Sequence, residues 1–440
     1  MPLQARVETP MADEHYPVYE RPSGWNALLP RRLPKSSLTT TVTCELAIVG
    51  AGYTGLAAAR RWATMAGDDR VVVLESSEVG EGSPGRNSGF LIEIMMADDA
   101  NTAQVSRMHE CNQLIGTAID DFREIIDRED IRCGMTRTGT YRAAAGIRGE
   151  HAINKYQSFL QAANLEHVTL NRDELADRIG TDFYRTGIYS PHCYLVQPAA
   201  LVRGLADCLP PSVTLYENSP AIRLDKAGTG WKITTPSGSV QAERVILANN
   251  AFSRKLVRAS RRIAVIYTYA ALTERLDEAF LRSMGSDTNW GLLPALRVGS
   301  TFRRTEDGRV LVRAFWGYEK ELDNRKIEEV LRQSLKRRFP ALADTKFFAV
   351  WSGATGLTIN GSPVWGETKP GLFVSAGCNG GGVVKGTLFG RLLADCANGR
   401  PVPDVKSLFG QAAWMPTDPL RRIGNVLIAA FERHRGAAEL

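Results

Sequence analysis

The stretch Glu45-Leu-Ala-Ile-Val-Gly-Ala-Gly-Tyr-Thr-Gly55 decides the fold of this chain. The apolar run at residues 46–49 predicts a buried strand, and a helical pattern follows the last glycine. Gly50 allows the tight turn, Gly52 lets backbone approach a pyrophosphate, and Gly55 lets the helix pack closely on the strand. The stretch therefore predicts a phosphate-binding turn at a helix N-terminus, where unpaired N–H groups favour anions.

A second predicted strand completes this unit and ends at an acid. Residues 71–74 are Val-Val-Val-Leu, and Glu75 follows them, twenty residues after the last glycine. An acid at this spacing accepts hydrogen bonds from ribose hydroxyls in dinucleotide sites. The unit predicts dinucleotide binding, with a glycine-rich turn in some other α/β fold as the alternative. Its neighbours Tyr53, Thr54 and Ser76 join the candidate cofactor residues.

Composition limits the size and class of the protein. A chain of 440 residues, 44% of them hydrophobic, is long enough for two interleaved domains. Basic residues exceed acidic ones by 54 − 48 = 6 and are scattered along the chain, which fits a solvated surface better than nucleic-acid binding. The six histidines show no metal-ligand spacing, so we expect no metal site.

Cysteine usage and hydropathy indicate the compartment. Seven cysteines without a CxxC pair fit reduced thiols better than a disulfide framework. No apolar run approaches the roughly eighteen residues of a membrane span. The N-terminal segment lacks the apolar core of a signal peptide. We therefore expect a cytoplasmic protein without a transmembrane segment.

Two later stretches are rich in glycine. Residues 79–90 predict a loop of small residues, and residues 371–386 predict a buried strand, a glycine turn and a helix start. Between them, residues 245–251 predict a buried strand that ends in small polar residues, as ligand-facing strands do. An ordinary surface loop is the alternative for residues 79–90. The candidate cofactor residues here are Arg86, Asn87, Ser88, Gly89, Asn249, Ala251, Gly377, Asn379, Gly380, Gly381, Gly382 and Val383.

These patterns predict an α/β fold with a Rossmann-like domain built from discontinuous segments and an α+β second domain with an antiparallel sheet. The predicted nucleotide-domain segments are 43–100, 187–255 and 347–400, and the second-domain segments are 101–186 and 256–346. An N-terminal arm, 1–42, precedes them, and we expect its first dozen residues to be disordered. A C-terminal extension, 401–440, contains an amphipathic helix at 420–433, read as docked on the protein with membrane-surface contact as the alternative.

At this point the chain resembles the FAD-dependent D-amino-acid oxidase superfamily, which includes glycine oxidase and sarcosine oxidase. The motifs that carry the resemblance are Gly50-Ala-Gly-Tyr-Thr-Gly55, Gly85-Arg-Asn-Ser-Gly89, Ala248-Asn-Asn-Ala251, Trp351-Ser-Gly353 and Gly377-Cys-Asn-Gly-Gly-Gly382. The arm with Tyr16 and Trp25 makes the chain most similar to gamma-glutamylputrescine oxidoreductase-like members. The resemblance covers residues 16–400.

The resemblance implies a place for each part of FAD. The pyrophosphate is expected on the glycines of residues 50–55 and the ribose on Glu75. The strand around Ala221-Ile222 is expected to contact adenine, and the isoalloxazine is expected near residues 86–89 and 380–383. The implied reaction is hydride transfer from the carbon next to an amine nitrogen to flavin N5. It gives an imine that hydrolyses to a carbonyl compound and an amine or ammonia.

The final glycine loop departs from the pattern of relatives, which usually reads Gly-Tyr-Ser-Gly-His-Gly. Here Cys378, Asn379 and Gly381 stand in the middle positions, and the histidine is absent. A thioether between Cys378 and the flavin is one reading of this change, and a small packed residue is the other. We expect non-covalent FAD.

The second domain supplies the substrate candidates. Its strands carry aromatic residues and arginines, and an arginine can hold a substrate carboxylate through two hydrogen bonds. The alternative for each is a surface strand residue. The candidates are Tyr267, Tyr269, Arg303, Arg313, Trp316 and Trp351.

We therefore expect an FAD-dependent amine or amino-acid oxidoreductase that uses oxygen or an electron carrier as acceptor. No catalytic residue is assigned, since the flavin carries the chemistry. The alternatives are a dehydrogenase that reduces a quinone or carrier, a catalytically silent flavin-binding protein, and an NAD-dependent dehydrogenase.

Overall fold

Two large sheets organise the chain. The computed structural model describes residues 15–67, 69–95, 100–257 and 261–440, so the predicted disorder of the first dozen residues lies outside the described residues. The strands in chain order are β1 (Thr41–Val49), β2 (Val71–Leu74), β3 (Phe90–Ile92), β4 (Thr140–Ala144), β5 (Val168–Asn171), β6 (Thr186–Ser190), β7 (Cys193–Leu195), β8 (Val213–Tyr216), β9 (Arg223–Ala227), β10 (Gly230–Thr234), β11 (Ser239–Leu247), β12 (Ala264–Thr273), β13 (Trp290–Pro294), β14 (Thr301–Arg304), β15 (Val310–Tyr318), β16 (Phe347–Leu357), β17 (Val364–Lys369) and β18 (Leu372–Ala376).

The helices cover the sheets and connect them. They are α1 (Gly24–Ala27), α2 (Tyr53–Ala66), α3 (Val105–Arg128), α4 (Ile147–Ala162), α5 (Arg172–Ile179), α6 (Pro198–Asp207), α7 (Ser253–Leu256), α8 (Glu278–Ser283), α9 (Asn324–Arg338), α10 (Val384–Ala397), α11 (Val405–Phe409) and α12 (Leu420–Arg435). Among the described residues, no helix has both the length and the apolar content needed to span a bilayer.

The first sheet has a parallel centre in the order β18-β11-β1-β2-β8. Strand β2 is wholly buried and β1 is buried from Leu46 onward, because one face of the sheet packs on α2 and α10 and the other joins the core that contains Trp231 and Ile233 of β10. The strand, turn and helix predicted around residues 46–65 are confirmed as β1 and α2. The strand predicted around Ala221-Ile222 begins two residues later, at Arg223.

The second sheet has the order β16-β12-β15-β14-β13-β4-β6-β5 and is antiparallel except where β13 pairs with β4. One of its faces packs on α9 through Ile327, Leu331 and Leu335. The α/β fold with two sheet-based units is therefore confirmed. The exact domain boundaries stay a prediction.

Helices α2 and α10 cross at glycines, which brings their N-termini together. A Cβ at Gly390 would lie 2.1 Å from the carbonyl oxygen of Thr54, and one at Gly386 would lie 2.8 Å from the Thr54 hydroxyl. The second residue of α2 therefore touches the first two turns of α10. Two helices from opposite ends of the chain start at one edge of the parallel sheet.

Candidate cofactor and active site

Glycine is required by geometry at the turn between β1 and α2. Gly50 has φ +103°, a conformation that L residues rarely adopt. A Cβ at Gly55 would lie 1.9 Å from the carbonyl oxygen of Gly50, and one at Gly52 would lie 2.8 Å from the ring of Pro84. The turn therefore leaves no room for side chains, and its backbone is free to approach a ligand.

Two helix N-termini point towards this turn without a side-chain cap. Neither α2, which follows Gly52, nor α10, which follows Val383, has a side-chain hydrogen bond at its N-cap. Uncapped N–H groups and the helix dipole favour an anion at such a position. Because α2 and α10 start at the same edge of the sheet, both N-termini can offer N–H groups to anionic parts of a ligand there.

Glu75 lies beside the turn, at the end of β2. Its carboxylate accepts hydrogen bonds from the backbone N–H of Ala51 at 2.9 Å and from the Ser76 hydroxyl at 3.1 Å. Burial raises the pKa of this carboxyl, although these donors oppose the rise. The backbone N–H of Ser219 donates to the Glu75 carbonyl, which places the segment leading to Ala221-Ile222 next to the acid. The predicted ribose and adenine residues are therefore neighbours.

Arg86 holds the second glycine loop in place rather than presenting its charge to a ligand. Its guanidinium donates to the carbonyls of Ser352 at 3.0 Å and Arg21 at 2.8 Å, and pairs with the Glu81 carboxylate at 3.0 Å. The guanidinium also lies 3.7 Å from the centroid of the Tyr19 ring. With these bonds made within the protein, Arg86 can act on a cofactor by fixing the loop.

The rest of this loop is held from both sides. The amide side chain of Asn87 accepts from the Gly89 N–H at 2.8 Å and donates to the Pro84 carbonyl at 2.6 Å. The indole of Trp25, in the arm, donates to the Asn87 carbonyl at 2.8 Å. In contrast, the buried hydroxyl of Ser88 has no hydrogen-bond partner among the described residues. An unsatisfied hydroxyl buried in a fixed loop is a candidate for a ligand contact.

The side chains of Tyr53 and Thr54 make contacts within the protein. The Tyr53 hydroxyl donates to the Pro198 carbonyl at 3.0 Å, and its ring packs on Phe122. Burial raises the pKa of this phenol. Thr54 contacts α10, as described above. What these two residues can offer a cofactor is their backbone N–H at the start of α2.

Asn250 ties the third glycine loop to the strand β11. Its side-chain oxygen accepts from the backbone N–H of Gly377 at 2.9 Å and of Cys378 at 3.3 Å, and its own φ is +46°. Asn379 fixes the other side of the loop by accepting from the Thr358 N–H at 2.8 Å. The loop after β18 is therefore anchored to two other strands, and Gly380–Gly382 project between these anchors.

Cys378 packs within the loop. Its sulfur lies 3.1 Å from the Asn250 amide nitrogen and 3.1 Å from the Thr355 hydroxyl. These contacts give the thiol a structural place in the protein, and non-covalent FAD stays a prediction. The neighbouring Asn249 has a buried side-chain oxygen without a partner among the described residues, whereas Ala251 is buried under β16.

The residues of this edge fit FAD. The glycine turn, the two uncapped helices and Glu75 can hold the pyrophosphate and ribose. The unsatisfied oxygens of Ser88 and Asn249 lie in the two segments predicted to contact the cofactor, and a bound ligand would satisfy them. Each predicted cofactor segment therefore reaches the same edge of the first sheet.

The register of the second sheet divides the six substrate candidates between its two faces. On β12, Tyr267 and Tyr269 belong to the core that packs on α9, and the Tyr269 hydroxyl accepts from the Leu322 N–H at 2.6 Å. Ala270 is on the other face, with Trp351 and Trp25. Tyr267 and Tyr269 are therefore core residues on the α9 face, where Tyr267 also meets the Tyr19 ring edge to face at 6.2 Å, and their part in substrate binding stays a prediction.

Arg303 and Arg313 share the face that looks towards the glycine loops. Arg303 pairs with Leu311, and Arg313 pairs with Thr301, so the two arginines are diagonal neighbours on β14 and β15. Trp316 is on this face too. Its partner across the strands is Thr268, and the Thr268 hydroxyl accepts a hydrogen bond from Arg313 at 3.2 Å.

The environment of Arg303 is unusual for a cation. Its Nη1 donates to the carbonyls of Ser88 at 3.1 Å and Val196 at 2.5 Å, and its buried Nε has no partner among the described residues. The side chain is 5% exposed. Burial lowers the pKa of Arg303 to about 10 and also lowers that of Arg313. Within the described residues, neither guanidinium forms a salt bridge.

Trp351 contacts the second glycine loop and the N-terminal arm. Its indole donates to the Arg86 carbonyl at 3.0 Å, and its ring meets Trp25 edge to face at 6.2 Å. Trp351 is almost wholly buried, so its observed contacts hold the loop at residues 86–89, and its part in substrate binding stays a prediction.

Sequence reasoning missed three residues that build the site. Asn250 was passed over for its neighbours, although an Asn-Asn pair after a buried strand is a signal for a loop cap. Trp25 was noted only as part of the arm. Glu217 is fully buried and accepts from Arg32 at 2.6 Å and from the Val79 N–H at 2.6 Å, which fastens the arm to the segment after Glu75. No local pattern marked Glu217.

Comparison with known proteins agrees with this geometry. Residues 45–396 match the family model described as FAD dependent oxidoreductase, also labelled DAO. Since the match covers most of the chain, the protein belongs to this family and is an FAD-dependent oxidoreductase.

Individual relatives are more distant. The chain is 27% identical over 373 residues to the gamma-glutamylputrescine oxidoreductase of Escherichia coli K12, covering 83% of this chain and 86% of the relative. It is 26% identical over 406 residues to a probable oxidoreductase OrdL of Rhizobium meliloti, covering 86% and 88%. The structure resembles glycine oxidase of Geobacillus kaustophilus with a TM-score of 0.72, 19% identity, and coverage of 85% of this chain and 100% of that one. The predicted family and cofactor are therefore confirmed.

Proposed function

We propose that this protein oxidises the C–N bond of an amine or amino acid that carries a carboxylate or similar anionic group. The observation that supports this substrate class is the pair Arg303 and Arg313, which share one sheet face without a salt bridge among the described residues. Burying a guanidinium without an anion is costly. A substrate carboxylate would supply the missing charge and accept paired hydrogen bonds.

The protein's own residues would position the substrate and keep the site dry. The arginine pair would hold the anionic end, which fixes the distance of the amine from the loop at residues 86–89. Trp25 and Trp351 fill the space beneath that loop. Bound FAD would supply the acceptor for a hydride. We propose that the substrate binds as the neutral amine, which can give up a hydride without a protein base when it is held in the right place.

Relatives support this class. The E. coli relative is named for gamma-glutamylputrescine, and a structural neighbour is named for glycine. We propose oxygen or an electron carrier as the acceptor. The free state of all seven cysteines within the described residues supports a cytoplasmic location.

The test is anaerobic bleaching of the flavin absorbance with matched pairs of compounds. Each pair would share an amine and differ by a carboxylate, for example sarcosine with dimethylamine, or gamma-glutamylputrescine with putrescine. We expect faster bleaching by the carboxylate member and a rise in its KM of about 100-fold in Arg313→Met, with partial rescue in Arg313→Lys. Equal rates within every pair would contradict the substrate class. No bleaching at all by the panel would contradict the reaction.

The acceptor needs a separate measurement. Hydrogen peroxide produced per substrate consumed, compared with the reduction of a dye, distinguishes oxygen from a carrier. A peroxide yield near one indicates an oxidase, and dye reduction without peroxide indicates a dehydrogenase.

A further inference from the structure

Helix α12 is amphipathic in the reverse sense to an ordinary surface helix. Its apolar side chains face solvent and are each between 53% and 66% exposed. We call this set the docking face: Leu420, Ile423, Val426, Leu427, Ile428 and Phe431. The helix has no buried residue. A contiguous exposed apolar patch of this kind marks an interaction surface.

The polar side of α12 faces the protein and fixes the helix. Arg421 donates to the Tyr318 hydroxyl at 2.8 Å and to the Ile263 carbonyl at 3.2 Å. At the other end, the guanidinium of Arg433 lies 4.2 Å from the centroid of the Phe315 ring. These contacts hold the docking face outward, so its exposure is built into the fold of the extension.

The chain is also tied down beyond α12. The Glu439 carboxylate accepts from the backbone N–H groups of Ala145 at 2.9 Å and Gly146 at 3.1 Å. Arg338 donates to the Glu439 carbonyl at 2.6 Å. Because both ends of the helix are anchored on the second sheet unit, the docking face is presented as a rigid strip.

The exposed charged side chains of α12 itself are basic, although the exposed acid Asp418 precedes the helix and pairs with Arg421. Arg422, His434 and Arg435 are exposed, whereas the acid of the helix, Glu432, is half-buried. Trp414, an exposed side chain of the type found at membrane interfaces, precedes the helix. An apolar strip with basic residues at both ends complements a surface that is apolar inside and anionic outside.

A second copy of the chain fits this surface poorly. A two-fold pairing of docking faces in antiparallel orientation brings Arg422 of one copy near Arg435 of the other. A parallel pairing places each of these arginines next to its own counterpart. Both arrangements oppose cations at the ends of the interface, which disfavours association.

We propose that the docking face of α12 binds the surface of a bilayer that contains anionic phospholipids, with the helix lying in the plane of the interface. The apolar strip enters the boundary between headgroups and acyl chains, and the arginines stay among the phosphates. This association is independent of the reaction proposed above, because the docking face contains none of the cofactor or substrate residues.

The experiment is sedimentation of the full-length, FAD-loaded protein with vesicles. Phosphatidylcholine vesicles containing phosphatidylglycerol would be compared with pure phosphatidylcholine. We expect binding to the anionic vesicles that weakens as ionic strength rises. The variant Ile423→Asp with Leu427→Asp should bind about tenfold less or weaker still. Leu33→Asp, the same change at an exposed leucine of the arm, should bind like the wild type.

Other outcomes overturn the proposal. Failure of the wild type to bind anionic vesicles at low salt does so, as does equal binding by the double Asp variant. A dimer in analytical ultracentrifugation that the double variant dissociates shows that a second copy covers the face. If the double Asp variant fails to hold FAD, the test uses a second variant, Arg422→Glu with Arg435→Glu, which leaves the apolar strip intact. That variant should lose the preference for anionic vesicles, and an unchanged preference contradicts the proposal.

Discussion

Gly390→Ala tests the crossing that brings the N-termini of α2 and α10 together. A Cβ at Gly390 would lie 2.1 Å from the Thr54 carbonyl oxygen and 2.9 Å from its carbon. Ordinary contact begins near 3.4 Å, so the helices must separate by about 1 Å. The atoms in the way are backbone, which no side-chain rotation can relieve.

The magnitude follows from two opposed effects. Alanine improves helix propensity by about 1 kcal/mol over glycine. Overpacking in a filled core costs about 1–3 kcal/mol and more where backbone must move. We expect a net loss of about 2 kcal/mol in the free energy of unfolding. Because the separation displaces the start of α2, the Kd for FAD should also rise by about tenfold.

The measurements are urea unfolding of the ligand-free protein and titration of FAD followed by its fluorescence. Gly116→Ala is the matched control, since a Cβ at Gly116 in α3 meets nothing within 4 Å. That variant should gain up to about 1 kcal/mol in stability and bind FAD normally. If Gly390→Ala is as stable as Gly116→Ala and binds FAD as the wild type does, the crossing does not position the site.

Three further predictions concern the loops. Burial raises the pKa of Glu75 above the ordinary value of 4.5, so its burial penalty is absent below that value and complete once the pH exceeds the raised pKa. Ligand-free Glu75→Gln should therefore be more stable than the wild type at neutral pH in urea titrations, with the difference vanishing below pH 4.5, while its Kd for FAD rises about tenfold. Asn250→Ala removes the acceptor for two backbone N–H groups and should cost about 2 kcal/mol in unfolding titrations, whereas Asn250→Asp keeps an acceptor and should cost less. Trp25→Phe loses the bond to the Asn87 carbonyl and should weaken FAD binding about fivefold; the exposed Trp414→Phe should leave that titration unchanged.

The phosphate end of the site could be predicted from sequence because its pattern is local. The strand, glycine turn and helix around Gly50–Gly55 occupy consecutive residues, and so do those around β18 and α10. Gly55 is crowded by a near neighbour, the Gly50 carbonyl oxygen, although Gly52 is crowded by Pro84 of the second glycine loop. Local sequence therefore carries the information needed to identify the turn.

The partners of Arg86 could not be predicted, since they come from distant segments. Its guanidinium bonds the carbonyls of Arg21, 65 residues away, and Ser352, 266 residues away. The sequence shows a cation in a small-residue loop, which fits a ligand contact equally well. Only the tertiary fold shows that the charge is used to fasten the arm and β16 to the loop.

The division of the substrate candidates between the two faces of the second sheet could not be predicted either, because simple alternation along the strands is lost. The pairing of β12 with β15 shifts register between Thr268 and Tyr269, and Phe315 adopts φ +63° at the same level. A bulge of this kind changes which residues share a face. Arg313 and Trp316, three positions apart, therefore lie together, while the tyrosines of β12 turn to the opposite side.

The distribution of the cofactor edge along the chain has a consequence for synthesis. A nascent chain that ends before residue 372 already contains the whole turn from Gly50 to Glu75, yet it lacks β18 and α10. This partial site would have one helix N-terminus instead of two, and it would lack the third glycine loop that Asn250 holds. FAD is therefore expected to bind only after nearly the full sequence has left the ribosome. Tight cofactor binding then requires that the N-terminal and C-terminal parts of the polypeptide have packed together.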